Sequence, residues 1–173
     1  VDIVNGAAVI PPNGYVLSGH GAARDFLNQV AVDDQITVEL KLNPDWLEQG
    51  FVHIIGGGPR LVKDGKVYIT AEEERFQPDI AAGRAPRTAL GVTADRKLLI
   101  VTVNGRQPGV SVGMTLTELA ELMIELGAVD AMNLDGGGST TMVIRDRVLN
   151  IPSDGTERSV SNAIVVITPE SRE

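Results

Sequence analysis

Apolar positions recur along this chain with two different periods, and the period separates helix from strand. Ile36, Val38, Leu40 and Leu42 alternate with Thr37, Glu39 and Lys41, the period-2 pattern of a half-buried strand. Leu116, Leu119, Ala120, Met123 and Leu126 instead fall on one face of a helix. Thr115 and Glu118 stand as a T-x-x-E capping box before that face, and Gly127 is placed to end it, so a helix is expected over 116–126. A shorter helix is expected over 22–30. Runs rich in β-branched and apolar residues at 89–93, 98–103, 129–134, 142–145 and 163–168 predict strands. The opening VDIVNGAAVIPPNGYVLSGHG breaks short β-like runs with Asn-Gly and Pro-Pro, which predicts strands and turns. This order implies an α+β fold: a single domain with a mainly antiparallel or mixed sheet backed by few helices.

Composition narrows the functional classes. With 173 residues and 43% hydrophobic content the chain can bury a substantial core. Its 15 basic and 23 acidic residues give a net charge of −8, which disfavours nucleic acid as a partner and obliges any anionic ligand to find a local cationic pocket. There is no Cys, and His20 and His53 are the only imidazoles, so neither a thiolate nor a His-rich metal site is expected. No apolar run reaches the roughly 18 residues that span a bilayer. The chain begins at Val1 with neither a start Met nor a signal-peptide pattern, as expected of an excised or processed segment; TPESRE at the other end reads as a frayed tail. Internal repeats, heptads and low-complexity linkers are not found.

The unusual polar chemistry lies between the predicted strands. NLDGGGSTTM, 133–142, sets the Asp135 carboxylate before Gly136, Gly137 and Gly138 and follows them with Ser139, Thr140 and Thr141. Glycines let a ligand approach the main chain, and successive amides there could form an anion nest. A glycine-rich turn between strands is the plainer reading. A P-loop is excluded because no Lys follows the glycines, and a dinucleotide fingerprint because the β-branched TTMVIRDRVL does not open a helix. Three further segments join turn residues to reactive or binding groups: GGGPRLV from Gly56, APRTALG from Ala85 and PSDGTERSVSN from Pro152. Arg87 offers a planar donor fork for a phosphate, Thr88 a hydroxyl, and Asp154, Glu157 and Arg158 further charged groups. Taken singly, such groups are more often loop residues in solvated ion pairs.

In this order the segments resemble the phosphodiester glycosidase family. GGGPRLVKDG, RTALG, NLDGGGSTTMV, and PSDG followed by RSVSN carry the likeness, whereas residues 1–50 match loosely and the family's upstream Asn-Gly-Gly-aromatic segment is not found. The family often has Asp where VNGR places Asn104. The resemblance implies hydrolysis of a sugar-1-phosphodiester at the glycosyl carbon–oxygen bond, with a small-molecule or glycan sugar phosphate as substrate. It also implies an extracellular or cell-envelope location. Neither cofactor nor metal is expected, and the oligomeric state is left open. Carried over residue by residue, the likeness makes Asp135, Asp154 and Arg87 catalytic candidates. Thr88, Asn104, Asn133, Gly136, Gly137, Gly138, Ser139, Thr140, Arg158 and Ser161 become substrate-binding candidates. A phosphomonoester already leaves as a stable anion, so donors that receive its charge matter more than a general acid. Arg87, Arg158 and the loop amides suit that task. Asp135 or Asp154 would stabilise the cationic sugar, attack it or activate water, with Asp135 favoured for the room its glycines leave. The alternative is a noncatalytic cell-envelope module that binds anionic glycans through the same loops.

Overall fold

The computed structural model describes residues 8–39 and 41–167. The chain divides into two compact units, Val1–His53 and Ile54–Glu173. In the first, helix α1 (Ala22–Leu27) is shorter than the expected 22–30 and buries no residue. Residues 8–21 hold a turn closed by Gly14 N–H donating to the Pro11 carbonyl at 3.2 Å, but no strand; residues 1–7 lie outside the described set. The strand expected over 36–42 is likewise not formed among the described residues, which exclude Leu40. Ile36 and Leu42 are half-buried and Val38 is exposed. Alternation specifies only which face turns inward; a strand also needs a neighbour for its N–H and C=O groups, and the described residues of this unit supply none.

The second unit carries the sheet. Its elements in chain order are β1 (Arg60–Lys63), β2 (Lys66–Val67), α2 (Pro78–Ala82), β3 (Arg87–Thr93), β4 (Leu98–Val103), α3 (Leu116–Glu125), β5 (Ala128–Leu134), a 3-10 turn at Gly137–Ser139, β6 (Val143–Ile144) and β7 (Arg147–Val148). Five strands pair in the order β2-β1-β5-β3-β4, every pair antiparallel, while β6 and β7 form a separate hairpin. The α+β architecture read from periodicity is therefore observed, with an antiparallel sheet. The β1–β2 hairpin and α2 were not anticipated. The first turns at Asp64-Gly65, both at positive φ (51° and 71°), the mirror-image geometry that matches strand twist, and the second starts from Pro78. The strand expected at 142–145 shrinks to β6. Residues 163–167 form none, and Ile164, Val165, Val166 and Ile167 stay exposed; Thr168 lies outside the described residues.

Helix α3 forms where the 3.6-residue pattern places it. The Thr115 hydroxyl accepts from Glu118 N–H, and the Glu118 carboxylate accepts from Thr115 N–H, completing the capping box. Gly127, at φ +94°, ends the helix and donates its N–H to the Ile124 carbonyl at 2.8 Å. The face bearing Leu116, Leu119, Ala120 and Met123 packs in one core with Leu61, Val62, Ala89, Ala128 and Ala131 of the sheet. Gly91 makes this approach possible: a Cβ there would lie 2.6 Å from Met123 Cε and 3.2 Å from Ala128 Cβ.

Candidate active-site cleft

Strand register sets the site. Pairing of Thr88 with Leu134 and Ala89 with Asn133 brings the start of β3 beside the end of β5, where the chain enters the glycine loop. Gly58 N–H donates to the Asn133 carbonyl at 2.7 Å and Asn133 N–H to the Pro59 carbonyl at 3.0 Å, so the segment before β1 flanks β5 on its other side. A bridge between Ala85 and Met114 draws in the connection to α3. These segments enclose an open cleft of about 480 Å³ whose walls include Gly57, Asp79, Arg87, Arg106, Asn133, Asp135, the three loop glycines and Arg158.

Arg87 is a frame residue as well as a wall. It is 3% exposed; its Nε donates to the Met114 carbonyl at 2.9 Å, and one terminal nitrogen donates to the carbonyls of Gly83 at 2.6 Å and Ile80 at 3.1 Å. The guanidinium thus ties β3 to the end of α2 and to the approach of α3. Burial first, and the neighbouring Arg106 charge second, lower its pKa from the ordinary arginine value.

Glycine loop geometry follows from close approach. A Cβ on Gly136 would lie 2.6 Å from the Pro86 carbonyl oxygen, and one on Gly138 would collide with Arg158 and Asp154. Gly137, at φ +59°, carries the Arg106 guanidinium 3.1 Å from the place its Cβ would occupy. The loop is not a run of open amides: Gly137 N–H donates to the Pro86 carbonyl, Ser139 N–H to Gly136 and Thr140 N–H to Gly137. This corrects the expectation of an anion nest, because two of these donors close a tight 3-10 turn and the third is taken by Pro86.

The remaining sequence candidates fall into four groups. Asp135 is exposed on the cleft wall. Asp154 lies against Gly138, where it takes a charge-assisted pair from Arg158 at 2.6 Å and a bond from the Ser153 hydroxyl at 3.3 Å. Thr88, Asn104 and Thr140 tie the frame together. The Thr88 hydroxyl donates to that of Thr140 at 3.2 Å, and Asn104 Oδ1 accepts from Ile151 N–H at 2.8 Å. Ser139 is half-buried in the turn after the glycines, and Ser161 is exposed in the C-terminal segment; neither is among the cleft-wall residues. The sequence reading missed Arg106 and Asp79. VNGRQPG does hold a signal for Arg106: it is a cation in a turn, and it adopts φ +59°.

The chain is similar to known proteins. The family model described as phosphodiester glycosidase matches residues 2–167, and the chain belongs to that family, a family of hydrolases. N-acetylglucosamine-1-phosphodiester alpha-N-acetylglucosaminidase of Bos taurus is 32% identical over 138 residues, 70% of this chain and 26% of that protein. The SPbeta prophage-derived uncharacterized protein YomE of Bacillus subtilis (strain 168) is 36% identical over 85 residues, 49% of this chain and 13% of its own length. Among solved structures, a hypothetical protein from Synechocystis matches with a TM-score of 0.53 at 32% identity, covering 58% of this chain and 18% of that one. The chain therefore spans about a quarter of the length of the bovine relative. Among the described residues no helix is long and apolar enough to cross a membrane.

Proposed function

We propose that this chain hydrolyses a sugar-1-phosphodiester outside the cell or in its envelope, releasing the sugar and a phosphomonoester. Family membership supports the reaction class, and the bovine relative's name supplies a first substrate to try, an N-acetylglucosamine-1-phosphodiester. The observation that carries the reading is the placing of Arg106 and Arg158 over Gly137 and Gly138, two and three residues beyond the exposed Asp135, in a single cleft. Water supplies the hydroxyl that replaces phosphate on the anomeric carbon, and the electron pair of the broken carbon–oxygen bond leaves with the phosphate. In this reading Arg106 and Arg158 receive that charge, and Asp135 stabilises the cationic sugar or takes the proton of the attacking water. Arg87 holds the wall on which they act.

The alternative, a noncatalytic module for anionic glycans, draws support from the Asp154–Arg158 pair, which neutralises one of the two carboxylate candidates. Incubation with nitrophenyl sugar-1-phosphodiesters separates the readings. Release of sugar and nitrophenyl phosphate supports hydrolysis, and saturable binding without release supports the module.

A further inference from the structure

Asn133 is 4% exposed and lines the cleft. Its Nδ2 donates to the carbonyls of Gly58 and Leu134, both at 2.8 Å. Two carbonyls facing one end of the amide require the nitrogen there, which fixes Oδ1 at the other end. That oxygen is buried and has no hydrogen-bond partner among the described residues. Such an orphan acceptor is costly to leave and marks a place where a donor belongs.

We infer that Asn133 Oδ1 is the acceptor for a hydroxyl or N–H on the sugar, and so selects the sugar end of the substrate while Arg106 and Arg158 take the phosphate end. This rests on the sugar-phosphodiester reading. An ionised phosphodiester offers oxygen acceptors only and cannot satisfy Oδ1, whereas every pyranose carries hydroxyl donors and an acetamido sugar adds an N–H. The two chemistries also stand on different walls. Asn133 is anchored to Gly58 beside β5, whereas the two arginines lie over the glycine loop, and Asp135 follows Asn133 by two residues. A ligand reaching both walls therefore sets its glycosyl bond near Asp135.

The test uses nitrophenyl diesters of hexose-1-phosphates, as parents and as series in which one hydroxyl at a time is replaced by hydrogen or one N–H is methylated. One position is expected to stand out, with binding or kcat/KM falling about 10- to 100-fold when its donor is removed, because the analogue leaves a buried acceptor unpaired. In Asn133→Ala that penalty is expected to vanish, while binding of inorganic phosphate stays within about 3-fold. Should Asn133→Ala not fold, the analogue series on the unaltered chain decides alone. A parent that binds while every analogue matches it overturns the inference and leaves the proposed function standing. Loss of phosphate binding in folded Asn133→Ala, equal to the loss of sugar binding, also overturns it, since Asn133 then only shapes the cleft. Failure of every parent to bind overturns both.

Discussion

At the scale of single residues, the two central arginines divide frame from function. Arg87→Ala removes the side-chain donor from the carbonyls of Gly83 and Ile80, each costing about 1–3 kcal/mol if left unpaired, and one of the two donors to that of Met114, which keeps the Ala85 N–H; Arg87→Lys restores only a point charge in place of a fork. Both variants are expected to lower Tm by several degrees in thermal unfolding. Arg106 is exposed and lies against the glycine loop, so Arg106→Ala is expected to leave Tm unchanged and weaken sugar phosphodiester binding about 10- to 100-fold by calorimetric titration. If Arg106→Ala unfolds the chain while Arg87→Ala does not, the division is reversed. Asp135→Asn keeps size and removes charge; turnover is expected to fall at least about 100-fold with Tm constant, and an unchanged rate moves the carboxylate role to Asp154. The sequence made Arg87, Asn133, Asp135 and Arg158 legible as one group because their segments carry glycines and charge in a family order. It could not say that the Arg87 fork turns onto carbonyls rather than a ligand, since that depends on where α2 ends.

At the scale of elements, legibility tracks how local the determining contacts are. Helix α3 carries its cap, its apolar face and its stop within thirteen residues, Thr115 to Gly127, so the pattern alone placed it. The segments 36–42 and 163–167 have equally good β-like composition, yet pairing is a contact with distant chain that composition does not encode. The capping box also gives α3 a pH dependence. Backbone donation from Thr115, then the Arg84 side chain, lower the Glu118 pKa from its ordinary value. A carboxylate whose folded pKa is depressed contributes stability that is full above the unfolded glutamate pKa and is lost as pH falls through the folded one. Acid titration of Tm is therefore expected to show a descending limb below the usual glutamate range, flattened in Glu118→Gln; an unchanged limb in that variant removes Glu118 from the effect. Thr115→Ala, which deletes the hydroxyl cap, is expected to cost about 1 kcal/mol at neutral pH.

At the scale of the whole molecule, apolar burial is distributed unevenly between the two units. Every residue of the hydrophobic core lies at or beyond Leu61, where α3 closes over the sheet, whereas described residues of the first unit such as Val9, Tyr15, Phe26 and Phe51 are exposed. Local opening costs little where few apolar contacts must be broken and approaches the global free energy where a packed ladder must come apart. Native-state hydrogen exchange is therefore expected to rank the amides of β3 and β5, paired on both sides, as the slowest, with α3 close behind. The described amides before His53 should exchange faster by orders of magnitude. This gradient bears on the site, because Asn133 and Arg87 sit on those two central strands while Arg106 stands on the connection after β4 and Asp154 and Arg158 on the segment after β7. The acceptor proposed for the sugar is thus held by the most protected part of the fold, and the cations proposed for the phosphate by a less protected one. A sugar phosphodiester that bridges both walls should slow exchange at residues 104–113 and 152–158 and leave β3 and β5 unchanged. Equal slowing across both units, or none in these two segments, would count against binding in this cleft.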